Sequence, residues 1–203
     1  MHNAESPQCQ SRRNSIYRGC SEGLTKQQIR SKILLKLKLQ KEENREKKSN
    51  LIKDKLFRST EFIKAKRVMF YIAFDGEVNT ANMIKEAKKL GKIVAVPVCA
   101  KGSNKVMPCL LSDRARLKKG PYGVLEPAIK KPVRLEDADL VIVPGVAFDR
   151  EGRRLGRGKG CYDSLLKELP CNIASIGLAF DFQILPDIPA TATDRSVDRV
   201  LFA

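Results

Sequence analysis

Histidine is almost absent from this 203-residue chain: the single copy, His2, sits in a polar leader that has no apolar run. Histidine-based catalysis is therefore not expected. The six cysteines form no CxxC pair, and reduced cytosolic thiols are the default for Cys99, Cys109, Cys161 and Cys171. No apolar stretch is long enough to span a bilayer, so no membrane partner is expected. Residues 1–23 lack the apolar core of a secretory signal and read as a disordered extension; only their arginines and serines speak for a targeting role. Two common phosphate-binding fingerprints are also missing. No GxGxxG follows a strand, and GxxxxGK[ST] does not occur, because Gly156 and Gly158 are two residues apart and Lys159 is followed by Gly160.

What the chain does have is one uninterrupted stretch, PGVAFDREGRRLGRGKGCYDSLL from Pro144 to Leu166. It places three alternating glycines, two cations and a carboxylate between an apolar strand and a helix. Gly156, Gly158 and Gly160 allow close backbone approach to an anion, and the start of the following helix adds N–H groups and the positive end of its dipole. Arg157 and Lys159 alternate with the glycines, so both can reach one polyphosphate, the arginine as a fork and the lysine as a point charge. Asp163 offers a hard oxygen ligand for Mg²⁺ beside them. The other reading of the same glycines and cations is a flexible surface loop with solvated charges.

With 42% apolar residues the chain can bury one full core. Its net charge of +16 is concentrated between Lys26 and Arg67, where fifteen Lys or Arg face five acids. That density reads either as a solvated helical face or as a nucleic-acid patch. The region has no interleaved aromatics, and no specific nucleic-acid partner is expected.

Periodicity places a first helix after Thr25, which forms a capping box with Gln28 and is followed by apolar Ile29, Ile33, Leu34 and Leu37. A helix from about Asn50 to Phe57 and a short one near Glu61–Lys64 precede a strand, Val68–Phe74. A DGE turn, a helix from about Thr80 to Leu90 and a buried strand Ile93–Val98 follow. Proline-punctuated loop with short strands fills 106–134. Strand Leu140–Val143, helix Tyr162–Leu169 and strands Ile173–Phe180 and Val197–Phe202 complete an alternation of strands and helices. The expected fold is α/β: a single three-layer, Rossmann-like domain over residues 24–203 with a mostly parallel central sheet.

The string PGVAFDREGRRLGRGKGCYD resembles the signature of the 5-formyltetrahydrofolate cyclo-ligase family. Further pieces fall in that family's order: KQQIR with Lys26 and Arg30, DGEVNT around Glu77, GKIVAVPV from Gly91, YGVLEP from Tyr122 and TDRSVD from Thr193. The chain departs from the family pattern at Cys161, where a tyrosine is usual before Tyr162. The resemblance implies cyclisation of 5-formyltetrahydrofolate to 5,10-methenyltetrahydrofolate, with ATP converted to ADP and phosphate. The runner-up is a catalytically weakened folate- or nucleotide-binding protein of the same fold.

Carried over by position, the resemblance implies ATP contacts at Lys26, Arg30, Arg154, Leu155, Gly156, Arg157, Gly158, Lys159, Gly160, Cys161 and Tyr162. It implies folate contacts at Ile72, Glu77, Tyr122 and Arg157 through Cys161, Mg²⁺ ligands at Asp163 and Asp194, and catalytic cations at Arg157 and Lys159. Each outlying residue also has a plainer reading. Lys26 and Arg30 could be two more charges on a basic helix, Glu77 and Asp194 turn residues, and Tyr122 a packing group beside Pro121. A monomer in the cytoplasm is expected, and a positive field would attract both anionic substrates.

Overall fold

The computed structural model describes residues 23–99, 102–103 and 105–203. The expected extension, residues 1–23, lies outside them apart from Gly23. Helix α1 (Lys26–Leu39) starts at the capping box read from the sequence. The Gln28 amide donates to Thr25 Oγ1 at 3.3 Å and the Thr25 amide to Gln28 Oε1 at 2.8 Å, closing two N–H groups that a helix start leaves open. Ile29, Ile33 and Leu37 recur every four residues and are all buried. Each such side chain contributes about 1.5–3 kcal/mol of burial, so α1 is held by one stripe.

Helix α2 (Glu42–Phe57) starts well before the expected Asn50. Its first turns carry no apolar residue to mark a period. Glu42 and Glu43 instead favour the positive end of the helix dipole, Arg45 pairs with Glu42, and Glu46 accepts from Asn79 Nδ2 at 3.0 Å. A short α3 (Thr60–Lys64) follows, capped by Ser59.

The strands are β1 (Arg67–Met69), β2 (Ile93–Cys99), β3 (Val106–Leu110), β4 (Leu117–Lys119), β5 (Leu125–Pro127), β6 (Leu140–Val143), β7 (Ala147–Phe148), β8 (Arg154–Leu155), β9 (Ala174–Ala179) and β10 (Arg199–Phe202). Helix α4 (Ala81–Lys89) lies between β1 and β2, and α5 (Cys161–Glu168) between β8 and β9. A six-stranded sheet runs in the order β10-β9-β6-β1-β2-β3, with β4-β5 and β7-β8 as separate hairpins. Every pairing in the large sheet is parallel except β2 with β3. All four residues of β6 are buried. Leu140 and Ile142 join the cluster that packs α1 to α4, while Val141 and Val143 join the one that packs α5, which gives the expected three layers.

Strand β1 stops at Met69 rather than continuing to Phe74. The Phe70 amide still donates to the Ala95 carbonyl at 2.9 Å, after which the chain leaves the sheet. From β1 it proceeds to β2 on one side, whereas from β6 it proceeds to β9 on the other. The two departing loops diverge and open a crevice at the carboxyl ends of the strands. Cys99, Cys109 and Cys161 are free thiols as expected, while Cys171 is disulfide-bonded and departs from that expectation.

Gly76, at φ +82°, carries the turn after β1, and a Cβ there would meet the Leu37 carbonyl oxygen at 2.3 Å. Gln40 Nε2 ties the same place together, donating to the Gly76 carbonyl at 2.7 Å and to the Leu37 carbonyl at 3.2 Å. Gly76→Ala should therefore destabilise the protein by at least about 1–3 kcal/mol, the range for one strained residue. Urea unfolding checks this, and a midpoint equal to the parent's would contradict the packing of this turn on α1.

Candidate functional site

The crevice holds a cleft of about 930 Å³ of empty space. The loop after β1 brings Ile72 and Glu77 to it, the β4–β5 hairpin brings Tyr122, and the run from β8 into the first turn of α5 forms the opposite wall with Arg154, Gly156, Arg157, Lys159, Gly160, Cys161, Tyr162 and Asp163. Leu155 differs from its neighbours: its side chain is buried in the core and its carbonyl accepts from the Val146 amide at 2.7 Å. Arg30 reaches in from α1, and its Nε donates to the Gly156 carbonyl at 2.9 Å. Lys26 and Asp194 pair with each other on the flank, outside the lining of this cleft.

Left-handed backbone at Gly158 (φ +96°) and Gly160 (φ +67°) turns the loop into the start of α5, a conformation that side chains with a Cβ rarely adopt. At Gly156 the constraint is space, because a Cβ would come within 2.7 Å of Arg154 Nη1. Arg154 is itself buried and anchors the loop, donating to Asp163 Oδ1 at 2.8 Å and to the Pro144 carbonyl at 3.3 Å.

The two cations between the glycines behave differently. Arg157 reaches across the cleft: its Nε donates to Glu77 Oε1 and its Nη1 to Asp75 Oδ2, each at 3.1 Å, and its guanidinium lies 5.2 Å from the Phe74 ring centroid. Lys159 has no carboxylate partner among the described residues and rests over the Tyr122 ring at 5.4 Å. Its charge is therefore available to an anion. The Glu77 carboxylate is the acidic counterpart. Burial pushes its pKa up; Arg157 and the Phe74 amide, which donates to Glu77 Oε2 at 3.1 Å, oppose this without cancelling it. The hydroxyl of Tyr162 is sealed from solvent and has no hydrogen-bond partner among the described residues, and burial, reinforced by Glu77, pushes its pKa well up.

Asp163 and Asp194 are linked through one residue, since the Arg195 amide donates to Asp163 Oδ1 at 3.3 Å. Asp194 accepts from Lys26 Nζ, from the Thr191 amide at 2.5 Å and from Thr191 Oγ1 at 2.9 Å. Burial alone would raise its pKa, but the Lys26 and Thr191 hydrogen bonds outweigh that and hold it below its ordinary value. Among the described residues no three acidic, histidine or cysteine side chains form a metal cage. The Asp163 and Asp194 carboxylates are hard oxygen donors of the kind Mg²⁺ takes together with phosphate oxygens and water, rather than a cage that holds a resident ion alone.

Sequence reasoning missed several lining residues. Phe74, Cys99 and Glu126 all face the cleft. Glu126 is buried and accepts from the Cys99 amide at 3.0 Å. Their common signal is position, since Phe74 and Cys99 lie beyond or at the carboxyl ends of neighbouring strands.

An α/β sheet with a glycine-and-cation loop at its strand-order reversal, ahead of a helix start, is an arrangement that suits phosphate-bearing anions. A sequence model described as the 5-formyltetrahydrofolate cyclo-ligase family matches residues 22–203. A Mus musculus protein named 5-formyltetrahydrofolate cyclo-ligase is 33% identical over 189 residues, covering 87% of this chain and 93% of its own length. A Caenorhabditis elegans protein named probable 5-formyltetrahydrofolate cyclo-ligase is 32% identical over 177 residues, covering 81% and 85%. The NMR structure of Aquifex aeolicus 5,10-methenyltetrahydrofolate synthetase matches with a TM-score of 0.76 at 36% identity, covering 87% of this chain and 89% of that one. The chain belongs to the 5-formyltetrahydrofolate cyclo-ligase family.

A carboxyl held below its ordinary value of 3.8 adds stability that is in place above that pH and is lost as pH falls through the folded-state value. Asp194→Asn removes this contribution. Urea midpoints of parent and variant should differ most above pH 3.8 and draw together below it. A gap that stays constant across the acid range would contradict the Lys26–Asp194 pairing.

Proposed function

We propose that the protein closes 5-formyltetrahydrofolate to 5,10-methenyltetrahydrofolate at the expense of ATP, by phosphorylating the formyl oxygen. The observation that carries this reading is the Arg157–Glu77 contact at 3.1 Å, which brings the phosphate-type loop and a buried carboxylate from the β1 arm into one cleft. A carboxylate suits the planar amino and ring N–H donors of a pterin. The alternative of a catalytically weakened binder is not favoured, because the chain keeps both Arg157 and Lys159 and the relatives reported above carry the enzyme's name.

A formamide resists ring closure because its carbon is a poor electrophile and its oxygen a poor leaving group. Attack of the formyl oxygen on the terminal phosphorus of ATP releases ADP and converts that oxygen into a phosphate ester. The N10 amine then bonds to the activated carbon and gives up its proton, phosphate departs with the former formyl oxygen, and the methenyl bridge remains. Such a sequence asks the protein for positioning and charge neutralisation. Lys159 would neutralise the charge that spreads over the phosphoryl oxygens, and Arg157 would exchange Asp75 and Glu77 for the incoming anion. Arg30 and Arg154 brace the loop, Lys26 brings a further cation from α1 for the nucleotide, and Glu77, Ile72 and Tyr122 would hold the folate. Asp163 and Asp194 would hold Mg²⁺, which, when bound, offsets phosphate charge. A cytoplasmic, monomeric enzyme belongs to the same reading; among the described residues no helix is long and apolar enough to cross a membrane.

Mixing the protein with MgATP and 5-formyltetrahydrofolate tests the reading, which requires the methenyl chromophore to appear only when both substrates are present. Lys159→Ala should lower turnover about a hundredfold or more while changing folate binding far less, the pattern for an electrostatic contact made in the transition state. Steady-state kinetics on folded variant protein decides it. Turnover within a fewfold of the parent would remove Lys159 from the chemistry.

A further inference from the structure

We propose that Cys99 and Cys161 form a two-thiol oxidation site inside the cleft, at which a peroxide closes a reversible disulfide that shuts out substrate. Cys99 ends β2 and Cys161 opens α5, so the two sulfurs come from opposite walls of one cavity. Both are free thiols, both line the cleft, and Cys161 lies close enough to Cys99 to help raise its pKa. Cys109, the other free thiol among the described residues, is fully buried on β3 and does not line the cleft.

A disulfide needs an S–S distance of about 2.0 Å with suitably close Cα atoms. Two thiols that line one cleft and act on each other electrostatically approach that by side-chain rotation and a backbone shift. The backbone before Cys161 is suited to such a shift, because Gly158 and Gly160 lie immediately upstream. Burial pushes the Cys99 thiol up to about 11, with Cys161 and Glu126 adding to the effect, so Cys99 stays protonated at neutral pH. Peroxide oxidises thiolates, so Cys99 is a poor target for the first step, and its proton leaves as it attacks in the second.

The chemistry balances in two steps. Peroxide transfers one oxygen to Cys161 Sγ, giving a sulfenic acid and one water as the sulfur loses two electrons. The Cys99 sulfur then attacks Cys161 Sγ, the S–OH bond breaks, the hydroxyl leaves with the Cys99 proton as a second water, and the S–S bond forms. A dithiol reductant reverses the result by exchange. The bond would staple the first turn of α5 to the end of β2. Lys159, whose carbonyl accepts from Cys161 Sγ at 3.9 Å, and the neighbouring Tyr162 would move with it. The cleft would then lose both space and its uncommitted cation.

The effect on turnover rests on the ligase reading, whereas the crosslink itself does not. The test is to treat the full chain with a small excess of hydrogen peroxide, alkylate the remaining thiols and map disulfides by peptide mass spectrometry. Methenyl formation is followed before oxidation, after it, and after dithiothreitol. The expected result is a Cys99–Cys161 linked peptide, loss of nearly all turnover, and recovery of both free thiols and turnover on reduction. Cys99→Ser should yield no such peptide and lose the reversible part of the inhibition. Separately alkylated or separately oxidised cysteines with no linked peptide would overturn the site, and a linked peptide with unchanged turnover would overturn its blocking role. If the unoxidised protein made no methenyl product, the ligase reading would fail while the mapped peptide still decided the crosslink.

Discussion

The parallel pairing of β1 with β6 is the constraint on which the rest of this molecule depends. Val68 and Met69 register with Leu140 and Val141, and beyond that pair the chain departs in opposite directions. Every residue assigned to the cleft from the β1 side is placed by the short ladder and the turn at Gly76. Every residue on the other wall is placed by the all-buried β6 and the loop that follows it. The apolar burial that drives β6 into the middle of the sheet is thus also what opens a crevice at its carboxyl end. Fold and site have one cause.

Charge is then distributed unevenly within that frame. Arg154 and Arg157 are committed to Asp163 and to Asp75 with Glu77, and Lys26 is committed to Asp194. These pairs hold the glycine loop open and in register without a ligand. Lys159 is left to an aromatic ring, a weak partner that an anion readily replaces. The arrangement leaves Lys159 open to an anion at once, whereas Arg157 and Lys26 must first exchange a carboxylate. The wider +16 charge is concentrated between Lys26 and Arg67, where it would attract anionic substrates rather than recognise them.

Much of this was legible from local chemistry. The Thr25–Gln28 capping box, the Leu140–Val143 strand and the GRGKG run each carry their own signal within a few residues, and each appears where it was read. The errors have a common origin in tertiary contacts. Helix α2 begins at Glu42 because Arg45 and Glu46 find partners, one of them Asn79, that no periodicity reveals. Strand β1 ends at Met69, where its pairing with β2 and β6 stops, although Phe70 to Phe74 read as a continuous apolar run. Asp75, Cys99, Glu126 and Arg195 entered the site for the same reason. Their roles arise from juxtaposition across the crevice, which spacing along the chain does not encode.

The central claim is that the cleft transfers a phosphoryl group to the formyl oxygen of the folate. Heavy oxygen placed in that formyl group follows the bond directly. After turnover with MgATP, the released inorganic phosphate should carry the label. Label found in water instead, with unlabelled phosphate, would contradict the account.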